Sequence, residues 1–124
     1  MKKYVIGIDA GGTKVAYGLF PCGGKMIDRF QHPTDSEQNG PEFSEVIIKS
    51  INYLLEKNKL TTDDLQGVGI CMPSFIHFDE GKICLTSAMT NIQDFYMRDY
   101  LEDRLKVPVV LDNDSNVAVL AEWR

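Results

Sequence analysis

The opening of the chain constrains its fold more than any other stretch. Tyr4-Val5-Ile6-Gly7-Ile8 is a compact β-branched run that ends at Asp9, and Val15 to Phe20 resumes as strand after Gly11-Gly12-Thr13-Lys14. Such a run, closed by a glycine turn, reads as a buried strand. The two familiar glycine motifs that hold phosphate, the dinucleotide fingerprint and the Walker loop, both put a helix directly after their glycines. Here a strand follows. The third glycine of the first motif and the Gly-Lys-Ser/Thr ending of the second are also missing.

Pro21-Cys22-Gly23-Gly24 then signals a turn, and Lys25 to His32 reads as the returning strand of a hairpin. Asn39-Gly40-Pro41-Glu42 combines a capping residue, a proline near the first turn and an acid three places on, which predicts a helix running to about Asn58. Phe43, Val46, Ile47, Ile51, Leu54 and Leu55 recur at three- and four-residue steps on it and make one apolar stripe; Glu45, Lys49, Glu56 and Lys57 fall on the polar side. Val68-Gly69-Ile70-Cys71-Met72 is a fourth strand stopped by Pro73. A small hairpin is expected from Phe75 to Phe78 and Lys82 to Leu85. Asp94 is expected to cap a second helix carrying Met97, Leu101 and Leu105, and Val107 to Leu111 a fifth strand. A last helix should start near Ser115, apolar almost all round, with the chain stopping inside it at Arg124. Three strands followed by alternating helices and strands predict a mixed sheet with helices packed on it.

Bulk properties exclude several classes of function. At 124 residues, 44% hydrophobic and 25% charged, the chain can bury one core without covalent staples. Its formal charge of -5 and scattered basic residues argue against nucleic acid as a partner. The longest apolar runs fall far short of the roughly 20 residues that span a bilayer, and the N-terminal one is too short for a signal peptide. No membrane association and a cytoplasmic location are the expectation. Cys22, Cys71 and Cys84 are odd in number and lack Cys-x-x-Cys spacing, so they read as small buried apolar residues. His32 and His77 read as surface or strand residues.

Two segments carry chemistry. In the first, the glycines of the Asp9 to Lys14 turn permit close backbone approach, so exposed N–H groups can face a phosphate. Thr13 adds a hydroxyl donor, and Asp9 is placed to hold a magnesium ion or its water. Strand alternation leaves Lys14 facing either way. A plain glycine hairpin with an incidental aspartate would have the same sequence. In the second, Leu111-Asp112-Asn113-Asp114-Ser115-Asn116 sits between a buried strand and a buried helix, where α/β proteins place ligands. Asp114 can take a proton from a substrate hydroxyl, and Asn113 offers a donor and an acceptor. A helix cap would use the same residues.

The two segments occur together in the order of a known family. From Tyr4 to Trp123 the sequence resembles the N-terminal domain of the ROK family of repressors, open reading frames and sugar kinases, which has the ribonuclease H-like, or actin-like ATPase, fold. The resemblance rests on Ile8-Asp9-Ala10-Gly11-Gly12-Thr13-Lys14, similar to that family's phosphate turn, and on Val107-Pro108-Val109 through Asn113-Asp114-Ser115-Asn116 to Glu122, similar to its Asn-Asp-Ala-Asn segment. It implies that Asp114 is the catalytic base and that Asn113 binds the sugar. It also implies that Asp9, Gly11, Gly12, Thr13 and Lys14 serve the ATP phosphates and Mg2+. Val68-Gly69-Ile70-Cys71-Met72-Pro73-Ser74 resembles the family's Gly-x-Pro-Gly strand end with Ser74 in place of a glycine, and Asn91-Ile92-Gln93-Asp94-Phe95 resembles its Asn-Leu-Pro-Gly-Trp. Ser74 and Asn91 are thereby candidate sugar contacts. The resemblance implies ATP-dependent phosphorylation of a hexose to its 6-phosphate, with glucose the default sugar and N-acetylmannosamine and fructose close behind. Residues 1–124 would form the N-terminal lobe alone, a fragment expected to be inactive. The family's zinc site would fall in the lobe beyond Arg124, and a homo-oligomer is compatible with the family. Two alternatives carry the same segments: the sugar-sensing part of a ROK transcriptional regulator, and a non-catalytic sugar-binding protein. Met1 lies three residues before the first strand, so the expectation is that no winged helix precedes it, which weighs against the regulator.

Overall fold

The computed structural model describes residues 3–11, 13–35, 37–72 and 95–112, the last of them by its backbone. Strands β1 (Tyr4–Ala10), β2 (Lys14–Pro21) and β3 (Asp28–Pro33) come first, then helix α1 (Gly40–Lys57), strand β4 (Leu65–Cys71), helix α2 (Met97–Leu105) and strand β5 (Val109–Asp112). They form one five-stranded sheet in the order β3-β2-β1-β4-β5. β1 is antiparallel to β2 and β2 to β3, whereas β4 is parallel to both β1 and β5.

Strand alternation decides what each face carries. Ile6, Ile8 and Ala10 on β1 register with Leu19, Tyr17 and Val15 on β2, and Ile6 and Ile8 register with Val68 and Ile70 on β4. All eight are buried in one core with Phe43, Ile47, Ile51, Leu54 and Leu55 of α1 and Met97, Leu101 and Leu105 of α2. Both helices therefore lie on the same face. The opposite face has small residues at matching heights: Gly18, Gly7 and Gly69 stand in one row across β2, β1 and β4.

The cap of α1 is formed as its sequence predicts. Asn39 Oδ1 accepts the Glu42 N–H at 2.9 Å, and Glu42 Oε1 accepts the Asn39 N–H at 3.0 Å. At the other end, Asn58 donates to Leu54 O at 2.8 Å and to Asp28 at 2.9 Å, while Lys57 approaches the same carboxylate at 3.4 Å. The Asn58 amide first, with the Arg29 N–H and Lys57 behind it, holds the Asp28 carboxyl below its ordinary range. Between the helices, Glu45 accepts from the Tyr100 hydroxyl at 2.5 Å and from Arg104 at 2.6 Å, with the guanidinium 4.6 Å from the centre of the Tyr100 ring.

Several element bounds differ from expectation. β3 starts at Asp28 and not Lys25, because Gly24 N–H closes a turn onto Pro21 O and the ladder to β2 begins at Leu19 and Asp28. β4 starts at Leu65, three residues early, after a single 3-10 turn at Thr62–Asp64. β5 runs from Val109 to Asp112 and not from Val107 to Leu111, its ladder to β4 beginning at Val68 and Val109. The residue that caps α2 is Tyr96, which makes no side-chain cap bond, and not Asp94. Val46 and Ile48 on α1 are only partly buried, whereas Ser44 and Ser50 join its buried side. Asp94 itself, the hairpin of Phe75 to Leu85, His77, Cys84 and the helix from Ser115 lie outside the described residues.

Candidate functional site

β1 delivers Asp9 to the carboxyl end of the sheet. Ile8 and Ala10 point into the core and are buried, so alternation puts Asp9 on the other face, where it is exposed. Beyond Ala10 the chain reverses at once, and Gly11 N–H donates to Lys14 O at 2.9 Å. Thr13 and Lys14 are exposed. Lys14 lies two residues before Ala16, the partner of Asp9, so it shares the face of Asp9, opposite the helices. A Cβ added at Gly11 would stand 3.3 Å from Lys14 O, too close for that turn to keep its shape unaltered.

Two further bonds hold this turn from the side. Thr34, one residue past β3, donates its N–H to Thr13 O at 3.0 Å and its hydroxyl to Gly11 O at 2.8 Å. Sequence reasoning did not single out Thr34. Its only signal is a hydroxyl residue at the end of the strand that pairs with β2.

The register of the parallel strands brings the second segment to the same edge. Asp9 pairs with Cys71 on β4, and Cys71 pairs with Asp112 on β5. With strands about 4.8 Å apart, the backbones of Asp9 and Asp112 are separated by roughly 10 Å at one height across the sheet. β5 leaves the sheet there, immediately before Asn113 and Asp114. Those two residues, with Gly12, Ser74 and Asn91, lie outside the described residues.

The exposed Asp9 carboxylate is a hard oxygen donor beside a turn of backbone amides. Such a set fits magnesium, which is commonly held by one or two carboxylates together with substrate phosphates. Among the described residues no group of three or more His, Cys, Asp or Glu side chains could hold a metal by itself. Cys71 is buried next to Asp9, and half-buried Cys22 donates to Gln66 Oε1 at 3.0 Å. His32 is a strand residue: its Nε2 is 2.8 Å from the Tyr17 hydroxyl, and its Nδ1 is 2.9 Å from Pro33 O. Burial pushes the Tyr17 phenol well above its ordinary range, partly offset by a hydrogen bond with Ser50.

This sheet order, with both helices on one face, is that of the ribonuclease H-like, actin-like ATPase fold. The model of the ROK family matches residues 5–124. The chain belongs to the ROK family. It is 31% identical over 123 residues to a glucokinase of Halalkalibacterium halodurans, covering 98% of this chain and 37% of that enzyme. It is 27% identical to a xylose repressor of Bacillus spizizenii, covering 96% of this chain and 30% of the repressor. Among solved structures, the ROK hexokinase of Thermus thermophilus superimposes with a TM-score of 0.74 at 31% identity, covering 96% of this chain and 38% of that one. This ROK chain thus spans less than two fifths of the length of these relatives. No helix among its described residues is long and apolar enough to cross a membrane.

Proposed function

We propose that residues 1–124 are the N-terminal lobe of a cytoplasmic, ATP-dependent hexose kinase. The observation that carries the proposal is the register Asp9, Cys71, Asp112, which sets the glycine turn and the exit of β5 on one edge of the sheet. In this reading the Gly11 to Lys14 turn receives the ATP phosphates, with the Thr13 hydroxyl and the Lys14 ammonium as side-chain donors. Asp9 would hold magnesium, directly or through water, and the ion would supply neutralisation of phosphate charge there.

Asn113, with Ser74 and Asn91 as further contacts, orients the sugar. Asp114 accepts the proton of the sugar 6-hydroxyl as its oxygen forms a bond to the γ-phosphorus. The bond from that phosphorus to the β-γ bridging oxygen breaks, and ADP leaves. Phosphoryl transfer needs chiefly positioning and charge neutralisation, so this short list of groups suffices for the chemistry on this side of the cleft. The similarity to a glucokinase supports glucose as the first sugar to test. In the whole protein that carries this chain, Asp114→Asn should lower kcat by roughly 10²- to 10⁴-fold, the usual worth of a general acid–base group. Near-normal turnover of that variant removes Asp114 from the role.

A second reading has a specific observation behind it, since the xylose repressor matches nearly the same residues as the glucokinase. There the lobe would bind sugar without transferring phosphate. Specific DNA retardation by the whole protein, together with sugar binding and no ADP release, would favour it.

A further inference from the structure

The phosphate turn is not held by its own hairpin alone. Its carbonyls at Gly11 and Thr13 both accept hydrogen bonds from a single residue on the neighbouring element, Thr34, at 2.8 Å from the hydroxyl and 3.0 Å from the backbone N–H. A trans peptide sets its N–H antiparallel to its C=O. Drawing the Thr13 carbonyl toward β3 therefore turns the Lys14 amide away from β3, toward the inside of the turn. The hydroxyl bond likewise fixes the direction of the Gly11 carbonyl, and Gly11, as a glycine, is the point where the backbone has most freedom to rotate.

The surroundings give Thr34 a fixed place from which to do this. Pro33 pairs with Lys14 at the end of β3, an edge strand, where a residue without an N–H breaks no ladder. His32 Nδ1 bonds the Pro33 carbonyl, and His32 Nε2 is tied to Tyr17 in the core beneath. Thr34 is partly buried.

We infer that Thr34 is a positioning residue for the nucleotide phosphates, one that touches no substrate and acts by fixing the direction of the turn's amides. The inference rests on the kinase reading above. It predicts that the hydroxyl matters for nucleotide and not for sugar, because the second site segment leaves the sheet from β5, three strands from β2.

The test is steady-state kinetics of the whole protein, with thermal melting alongside, for T34V and T34S. T34V keeps the shape and the backbone N–H but loses the hydroxyl; T34S retains it. Losing the hydroxyl's hydrogen bond to Gly11 O should raise the KM for ATP about tenfold in T34V, leaving the KM for sugar within about twofold, and T34S should restore the wild-type value. If T34V yields no folded protein, T34A removes the hydroxyl without a second methyl and is read in the same way. An unchanged KM for ATP overturns the inference, whether or not the melting temperature falls. So does an equal rise in both KM values, or a failure of T34S to rescue. Wild-type protein that transfers no phosphate from ATP defeats the kinase reading itself, whereas active wild type with an indifferent T34V defeats only the role of Thr34.

Discussion

Gly40 is the first residue of α1, and its missing side chain is a packing requirement. A Cβ there would lie 2.5 Å from two carbons of the Phe95 ring, against roughly 3.5–4.0 Å for a comfortable carbon contact. Gly40→Ala should therefore cost about 1–3 kcal/mol of stability in urea unfolding, despite the better helix propensity of alanine. An unchanged or raised midpoint would contradict the contact. Nothing around position 40 announces this, because the ring comes from a segment far along the chain. The cap at Asn39 and Glu42 was readable because both partners sit within one turn of helix. The same contrast holds at the candidate site. Asp9, the glycines and Thr13 could be named from a local pattern of strand, turn and strand. Thr34 could not, since its importance depends on the register between β2 and β3.

At the scale of elements, apolar runs and periodicity located β1, β2, β4, β5 and both α-helices, the turn signal at Pro21 to Gly24 located β3, and the 3-10 turn at Thr62–Asp64 carried no such signal; hydrogen bonding set where each element stops. The helices meet the sheet through fully buried residues such as Ile47, Ile51 and Leu54. Exposed contacts such as the pair of Glu45 and Arg104, at 38% and 49% side-chain exposure, contribute at most about 1 kcal/mol and fix the helices' relative setting more than their attachment. The link between β3 and the end of α1 is electrostatic and can be read by pH. Asp28 has its carboxyl lowered by the Asn58 amide first and Lys57 last, so its stabilising contribution is fully present above the unfolded carboxylate range and fades as pH falls through the folded value. Asp28→Asn should lower the urea midpoint at about pH 7, and the gap to wild type should narrow toward about pH 3. A gap that is constant over that range would show that the carboxylate charge plays no part in the link.

For the whole molecule, the sequence carried the fold class because the order of strands and helices, with a glycine turn after the first strand, admits few sheets. What it could not carry was the alignment of β1, β4 and β5, whose shared register brings Asp9 and Asp112 to one height. The Lys14 side was equally open in the sequence and is settled by the antiparallel register of β1 and β2. Actin-like kinases close two lobes around their substrates, and this chain covers 37% of a related glucokinase, so residues 1–124 alone should release no ADP above background in a coupled assay. The most direct test of the account uses the whole protein. It is incubated with magnesium ATP and, one at a time, glucose, N-acetylmannosamine and fructose, and the products are resolved by mass. The account predicts ADP and a hexose 6-phosphate in equal amounts with at least one sugar, and neither with Asp114→Asn. Sugar binding with no ADP and no phosphosugar would contradict it.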